Sequence, residues 1–469
     1  MTARATQYEH YYNRNMKHSI IAFCSLLTVA TSATAQTMSL SQCREAALKN
    51  NKEMAAAVKQ TEGARYTMKS YRGNFFPNFT ATGIGLYSNA EGKYSSGSGN
   101  LPTFQADATG QFAQNGGFAF FPGLDLNLKI GTVYVGGVQV EQPIFMGGKI
   151  IAAYKMAKLG KEMSQLNETL TETEVILKTD EAYANVVKAK EMSKVAAAYK
   201  ATLEELLKNV ESAYNNGLRP QNDVLKVKVK LNESELSVRK AENALRLATM
   251  NLCHVIGSPL TTTIEVEEGF PEMEQQMTQA TMDITSRPEY AILDKQEAIA
   301  KQQVTLNRSE LLPKIGVVGA YEYAHGIELN DQTLFDKGSF YVMLNVNVPL
   351  FHFGERMNKV KAAKAKLEQI RYERENTNER MTLELAQASN NLDESRLESE
   401  LSDRSLEQAE ENMRVSKKQY EVGLETLSNY LEAQTLWQKA YSTKVDAHFQ
   451  MYINYIAYQK AAGLLKTAK

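Results

Sequence analysis

The chain has 469 residues, of which 43% are hydrophobic and 23% are charged, and its formal net charge at pH 7 is −1. This length exceeds one average globular domain, so it predicts either several domains or one repeated architecture. The near-neutral charge argues against a dedicated nucleic-acid-binding protein, which would carry a strongly basic surface.

The N-terminus has the pattern of an export signal. Lys17 is followed by the apolar run IIAFCSLLTVA and then by the small residues ATA, directly before Gln36. A positive residue, an apolar core and a small-residue cleavage site are the three parts of a secretory signal peptide. We therefore expect residues 1–35 to be a signal peptide, with an extension or a long first region before Met16.

Two cysteines, Cys43 and Cys253, lie beyond this segment. Their spacing does not predict a disulfide, and we interpret them as unlinked. No later stretch has eighteen consecutive apolar residues, so no membrane-spanning helix is expected.

Two motifs occur twice with the same separation. YNNGL starts at Tyr214 and YEVGL at Tyr420, and QPIFMGG and VPLFHFG are separated by the same interval. FFPNFTATG around Pro77 and LLPKIGVVG around Pro313 are further apart than this, which indicates an insertion in the first half. The insertion contains YSNAEGKYSSGSGNLPTF, whose Gly, Ser and Asn content predicts a loop. The chain is therefore predicted to be a tandem duplication.

The duplication predicts one unit over residues 36–469. Repeat one is expected at 36–258 and repeat two at 285–469, with 259–284 as the link between them. Each repeat has the order helix, two strands, very long helix and returning helix.

Period-two alternation predicts two strands in each repeat. In SFYVMLNVNVPLF, Val342, Leu344 and Val346 share one face, while Asn345 and Asn347 lie on the other. A half-buried soluble sheet would alternate in the same way, but the flanking helices lack a broad apolar face to cover it. Four strands cannot close a barrel alone, whereas several copies of the chain could, with the apolar face towards lipid. The strands are expected near 78–87, 131–142, 314–323 and 340–349.

Proline-free stretches after each strand pair predict very long helices. Lys149–Tyr214 and Glu355–Tyr420 are equally long and contain no proline. At about 1.5 Å per residue, each would reach roughly 100 Å if unbroken. The returning helices, near 221–256 and 427–462, have narrow apolar seams typical of coiled-coil packing.

These segments, in this order and duplicated, resemble the TolC family of outer-membrane efflux ducts over essentially all of the mature chain. The resemblance rests on SLSQCREAALKNN, on the paired proline and glycine motifs, and on the two Tyr-x-x-Gly-Leu turns. It implies an α+β membrane protein in the outer membrane of a Gram-negative bacterium. Three copies, each with four strands, would form a 12-stranded β-barrel continued by a long α-helical periplasmic tunnel.

The resemblance also implies a function and partners. The homotrimer would be the passive exit duct of a tripartite efflux system, conducting drugs, toxic compounds or metals. It would receive them from an inner-membrane transporter of the RND or ABC type through a periplasmic adaptor, also called a membrane fusion protein.

The same resemblance places the two turns at the periplasmic end, in contact with the adaptor. Glycine suits such a turn because a helix C-terminus commonly needs a left-handed residue, and an exposed leucine provides an apolar anchor. The simpler interpretation is that the glycines only end helices. The implied docking residues are Gly217, Leu218, Val422, Gly423, Leu424 and Thr426.

The gate residues of the family map onto the same region, at Asp223, Tyr420, Asn429 and Glu432. Glu425 stands where some relatives have an arginine, and Arg219 occupies the matching place in the first turn. Arg219 is therefore expected to supply the cation of the gate. Asp223 and Glu432, tripled by symmetry, would form an acidic constriction that favours cations, or would be solvated charges at helix starts.

The sequence contains no recognisable catalytic motif. It lacks Gly-x-Ser-x-Gly, a P-loop and Cys-x-x-Cys, and its six histidines show no ligand spacing. We expect no enzyme activity, no metal site and no cofactor. Two alternatives to the efflux duct stay open: the outer-membrane channel of a type I protein secretion system, and a soluble periplasmic coiled-coil or adaptor protein.

Overall fold

A computed structural model describes residues 36–273 and 283–465, so the predicted signal peptide lies outside the described residues. The chain divides into two compact units. The helical unit comprises the described residues of Met1–Val58, Glu168–Pro288 and Asn378–Lys469. The sheet unit comprises Lys59–Asn167 and Glu289–Thr377.

The helices of the described residues follow the duplication. The two longest helices have 67 residues each and the two returning helices have 35 each. In both pairs, the helix of the second repeat begins and ends the same number of residues after its counterpart in the first repeat. Both predicted long helices are therefore continuous. None of the helices in the described ranges has the combination of length and apolar character needed to cross a bilayer. The helices are α1 (Leu40–Asn50), α2 (Lys52–Gly73), α3 (Lys149–Asn215), α4 (Gln221–Val255), α5 (Pro288–Arg308), α6 (Glu355–Glu421) and α7 (Leu427–Ala461).

Local sequence explains where α1 and α2 begin. The Ser39 side chain accepts a hydrogen bond from the backbone N–H of Gln42, whose own side chain accepts from the Ser39 N–H at 3.0 Å. This reciprocal capping box satisfies two of the free donors at the helix start. Asn51 separates the helices, and its side chain accepts from the N–H of Glu53 at 2.7 Å.

The core of the helical unit contains a buried ion pair between α1 and α3. Arg44 Nε donates to Asp180 Oδ1 at 2.7 Å and Arg44 Nη2 donates to Asp180 Oδ2 at 2.5 Å. The Asp180 side chain has no exposed surface. Around it, Tyr183, Leu252 and Ile256 are fully buried. Cys43 and Cys253 lie in the same core as free thiols, which confirms the interpretation that they are unlinked.

The sheet unit contains an antiparallel sheet of six strands. In order across the sheet these are β2 (Asn78–Tyr87), β7 (Thr132–Phe145), β9 (Lys314–Leu329), β6 (Leu124–Lys129) and β3 (Glu91–Ser96), and β10 (Gln332–Asn347) also pairs with β9. Its residues alternate as predicted: Val317 lies opposite Leu344, whereas Gly316 lies opposite Asn345. Residues paired across two strands share a face of the sheet. We call the side of Val317 and Leu344 the apolar face; Leu344 is 64% exposed in the single chain. The four predicted strands are β2 (Asn78–Tyr87), β7 (Thr132–Phe145), β9 (Lys314–Leu329) and β10 (Gln332–Asn347).

The insertion in the first half is not a loop, and the prediction from its composition was wrong. It folds into two antiparallel ladders, one of β3 with β6 and one of β4 with β5. Cross-strand hydrogen bonds satisfy the backbone groups, and Gly and Ser disfavour such pairing without preventing it. These strands are β3 (Glu91–Ser96), β4 (Gly99–Ala106), β5 (Phe112–Phe121) and β6 (Leu124–Lys129). A further short parallel pair, β1 (Gln36–Met38) and β8 (Ile264–Val266), belongs to the helical unit.

Within the sheet unit, Glu297 of α5 forms an ion cluster with α6. Its carboxylate accepts from Arg371 at 3.1 Å and from Arg374 at 2.8 Å, and Lys301 lies 2.8 Å away. The hydrogen bond from Lys301, together with those from the two arginines, lowers the pKa of Glu297 to about 2.

We expect this cluster to make the stability depend on acid. Because the pKa of Glu297 is lower in the folded protein than in the unfolded chain, its ion pairs stabilise the fold fully above about pH 4.5, and this contribution is lost as the pH falls towards 2. Glu297→Gln should lower the urea midpoint at about pH 7 and reduce the further fall between about pH 5 and pH 3. Glu375→Gln, at an exposed position of α6, is the control. An undiminished acid-induced fall in Glu297→Gln would contradict the assignment.

Candidate functional site

The two helix-to-helix turns have the same backbone geometry. Gly217, between α3 and α4, has φ 74°, and Gly423, between α6 and α7, has φ 77°. The N–H of Leu218 donates to the carbonyl five residues earlier at 2.9 Å, and that of Leu424 does the same at 2.8 Å. This is the Schellman ending of a helix, and it requires a left-handed residue. A Cβ atom at either glycine would meet nothing within 4 Å, so φ alone favours glycine.

Large apolar side chains next to both glycines are exposed. Leu218 is 76%, Val422 is 71% and Leu424 is 81% exposed. Thr426 differs from these residues because its Oγ1 accepts the backbone N–H of Asn429 at 3.3 Å and so caps α7. All six predicted docking residues are thus exposed on the turns, and Thr426 also caps α7.

Arg219 and Tyr420 connect the first turn to the second. The Arg219 guanidinium carbon lies 4.8 Å from the centroid of the Tyr420 ring, a cation–π arrangement. Tyr420 in turn stacks on Tyr430 of α7, with ring centroids 5.4 Å apart and an interplanar angle of 20°. The structure therefore brings together two of the predicted gate residues and adds Tyr430 to them.

These rings line a cleft of about 630 Å³, which we call the tip cleft. Burial raises the pKa of both Tyr420 and Tyr430 above its ordinary value. At the rim, Lys417 of α6 lies 3.4 Å from Glu205 of α3. The tip cleft also includes Leu218, Val422 and Gly423, so some of the predicted docking residues meet two of the predicted gate residues, Arg219 and Tyr420, in it.

The remaining gate residues lie elsewhere around the turns. Asp223, in the first turn of α4, has a 13% exposed side chain and lies 3.9 Å from Lys226. Glu432 lines a second groove, of about 600 Å³, between α4 and α7. Lys226 borders the same groove and donates to Ser428 at 3.3 Å. Lys226 thus places a positive charge beside the predicted acidic positions. The acidic ring itself requires further copies of the chain and stays a prediction.

Sequence reasoning missed three features of this site. Tyr430 occupies the position three residues after Leu427, a seam position of α7 that could have identified it as a packing partner. Lys226 is one helical turn from Asp223 and could have been paired with it. Glu425, noted only as a departure from the family pattern, accepts a hydrogen bond from Ser416 and so fixes its own turn.

Comparison with known proteins agrees with this architecture. The family model described as outer membrane efflux protein matches residues 43–258 and 286–464. The outer membrane protein VceC of Vibrio cholerae has a similar structure, with a TM-score of 0.72 at 14% identity, covering 90% of this chain and 96% of VceC. The outer membrane channel CmeC of Campylobacter jejuni gives 0.72 at 18% identity, covering 90% and 85%.

One curated relative is the alkaline protease secretion protein AprF of Pseudomonas aeruginosa. It is 21% identical over 247 residues, which is 51% of this chain and 51% of AprF. The chain therefore matches only about half the length of this relative.

The fold is that of outer membrane channels. The chain belongs to the outer membrane efflux protein family. Membership of this family confirms the resemblance drawn from the motifs. It places the protein in the outer membrane, with a helical periplasmic tunnel, and it disagrees with the soluble coiled-coil alternative. The family consists of channel proteins.

Proposed function

We propose that the protein is the passive outer-membrane exit duct of a tripartite efflux system. Three copies form a 12-stranded barrel continued by a helical tunnel, and small molecules enter from an inner-membrane pump through a periplasmic adaptor. Each repeat, 36–258 and 285–469, contributes two barrel strands and one turn to the tunnel end. The duct performs no catalytic step.

The observation that carries this proposal is the pair of matching turns. Gly217 and Gly423 give both turns the same left-handed ending, and each turn leaves most of a leucine side chain exposed. Apolar anchors surrounded by polar helix ends are typical of protein contact sites. A helical hairpin of the adaptor would bury them against its own apolar residues.

Replacing both tip leucines tests the docking. Leu218→Ser with Leu424→Ser should abolish adaptor-dependent efflux, because it removes the anchors without touching the buried cluster beneath them. The measurement is drug accumulation in cells that also carry the cognate pump and adaptor. Negative-stain electron microscopy of the purified variant should still show elongated three-fold particles.

Leu236→Ser is the matched control, since Leu236 is a 57% exposed leucine on α4, away from the turn. It should leave efflux unchanged. Wild-type efflux from the tip-leucine variant would exclude the turns as the docking surface, and compact monomers in the micrographs of the wild type would exclude the trimeric duct.

A second candidate is the outer-membrane channel of a protein secretion system, which the match to AprF favours. The adaptor contact would be the same, so the tip-leucine variant does not separate the two cargoes. Deleting the chromosomal copy of the gene separates them. Loss of a secreted protein from the medium with unchanged drug tolerance would support secretion, whereas lower drug tolerance with unchanged secreted proteins would support efflux.

A further inference from the structure

The strand-to-helix junctions of the two repeats have similar backbones. The first junction, residues 144–148, leads from β7 into α3, and the second junction, residues 350–354, leads from β10 into α6. Gly147 has φ 61° and its equivalent Phe353 has φ 43°, and the residue after each is a left-handed glycine. Phe353 therefore adopts a backbone conformation that is unfavourable for a residue with a bulky side chain.

The first junction is covered by the second repeat of the same chain. Gly147 is buried against the end of α5, where an added Cβ atom would lie 2.7 Å from the Ser309 carbonyl oxygen and 2.8 Å from Leu312 Cβ. Ser309 is itself fully buried. The pairing of β7 with β9, which places Phe145 opposite Ile315, lies directly beside this contact. Only glycine permits so close an approach of the two backbones.

The second junction has no such cover in the single chain. Leu350 is 91%, Phe351 is 72% and Phe353 is 93% exposed. Among the described residues, β10 pairs only with β9 and β2 pairs only with β7, so both are edge strands of the sheet. Large apolar side chains and an unfavourable backbone conformation thus occur together at an unpaired edge, where the free N–H and C=O groups are ready to pair with another chain.

The duplication identifies the surface that would cover this junction. Residues 309–313, which cover the first junction, have residues 73–77 as their counterpart between α2 and β2. Gly73 stands in place of Ser309, and Phe76, which is 60% exposed, stands in place of Leu312. This counterpart adjoins the β2 edge, and β7 and β9 separate that edge from β10. A single chain therefore leaves the two surfaces apart, whereas a second copy can bring them together.

We propose that the second junction of one copy packs on residues 73–77 of the next copy, as the first junction packs on residues 309–313 of its own chain. Phe353 cannot repeat the glycine contact at the same backbone distance, because its Cβ would overlap a carbonyl oxygen. The two backbones lie further apart here and the phenylalanine ring fills the wider gap. Gly73 leaves space for the ring, since nothing lies within 4 Å of the position of a Cβ atom on it.

The same equivalence gives the strand register between copies. Within the chain, Val138 lies opposite Tyr321 on the apolar face. Transferred to the other repeats, this pair becomes Leu344 opposite Gly85 of the next copy. Gly85 shares a face with Ala81, which lies opposite Val138. The transferred register therefore keeps the apolar face continuous from copy to copy, whereas a slip by one residue would reverse it.

This inference rests on the assembly of copies that is part of the proposed function, and it does not depend on the turns, the adaptor or the cargo. It adds the residues that meet only in the assembled ring. The contact is head-to-tail, because each copy provides a junction at one edge and the receiving segment at the other.

The test is disulfide formation between copies. Phe353→Cys is combined in turn with Gly73→Cys, with Phe76→Cys and with Tyr66→Cys, and each purified full-length variant is oxidised in detergent with copper phenanthroline. Tyr66 is the matched control, because it is 54% exposed on the same helix and lies about 10 Å along the helix axis from Gly73. Phe353→Cys alone is the second control.

Non-reducing gels should show covalent dimers and trimers for the pairs with positions 73 and 76, at several times the yield of the pair with position 66. Phe353→Cys alone should stay monomeric, because a head-to-tail contact needs both cysteines. Cys43 and Cys253 have no exposed surface and should not react in the folded protein.

Two results on the gels would overturn the proposal directly. Dimers of Phe353→Cys alone would mean that two β10 edges meet, and an equal yield with position 66 would mean that the contact is not at the junction. Monomers from a protein whose micrographs show three-fold particles would mean that lipid or another protein covers the junction, so this inference would fail and the duct would stand. Particles without three-fold symmetry would refute both.

Discussion

Replacing Arg44 with methionine should lower the free energy of unfolding by about 3–5 kcal/mol, because a buried carboxylate would lose its only bidentate partner among the described contacts. Asp180 has no exposed surface, and burial already raises the pKa of its carboxyl group. Without the guanidinium, the fold would have to hold either an unpaired charge or a protonated acid. The loss is measured by circular dichroism during urea unfolding of the detergent-solubilised protein.

The double variant Arg44→Met with Asp180→Leu separates an unpaired charge from lost packing. Apolar residues of similar volume often replace a buried ion pair without loss of stability, so the double variant should recover most of the loss. If it were as unstable as Arg44→Met alone, packing by the arginine stem would be the main contribution.

Removing the Tyr420 side chain should open the duct. Tyr420 is 9% exposed and lies between Arg219 and Tyr430, so Tyr420→Ala removes the stack and leaves a cavity beneath the second turn. Losing a buried aromatic side chain costs about 3–5 kcal/mol of folding stability, and the part of that contact that exists only in a closed arrangement of the helices would shift the gate towards the open one. We expect a higher single-channel current in planar bilayers than for the wild type.

Tyr214 provides the matched control, because it is the corresponding tyrosine of the first repeat and is 41% exposed. Tyr214→Ala should leave the current close to the wild-type value. Arg219→Gln, which removes only the cation–π contact, should have an intermediate effect, since such contacts contribute about 0.5–2 kcal/mol. Equal currents for Tyr214→Ala and Tyr420→Ala would remove Tyr420 from the gate.

Much of the fold could be predicted because the duplication marks equivalent positions. The Tyr-x-x-Gly-Leu motif located both turns, and the absence of proline predicted the uninterrupted helices α3 and α6. The register of β9 with β10 agrees with the alternation read from the sequence. The period of the apolar residues and the composition are enough to predict a helix or strand where one side of the segment is consistently more apolar than the other.

The insertion shows where composition misleads. Its Gly and Ser residues predicted a loop, yet its two arms pair from Glu91 with Lys129 onwards. Pairing depends on the match between two distant segments, which the composition of either one does not contain. The alternation of Leu124, Leu126 and Leu128 was the signal that could have shown it.

The site was predicted in its position but not in its internal contacts. Motif equivalence treats Tyr214 and Tyr420 alike, whereas only the second is buried. The reason is visible in the partners: Tyr430 stacks on Tyr420, and the position equivalent to Tyr430 in the first repeat is Val224, which cannot stack. Likewise, Arg219 has Glu425 as its counterpart, so the cation exists in one turn only. Divergence between the repeats, rather than their likeness, determines the tip cleft.

The equal lengths of the paired helices constrain how such a chain can change. The two halves differ by a long insertion among the strands of the first half, but their helices do not differ in length. The helices α3 and α6 have 67 residues each, and α4 and α7 have 35 each. Deleting one heptad from a single helix would displace its turn by about 10 Å along the helix axis. The two turns would then no longer lie at the same depth along that axis. A change in helix length that keeps the two turns at the same depth therefore requires matched insertions or deletions in both halves of the chain.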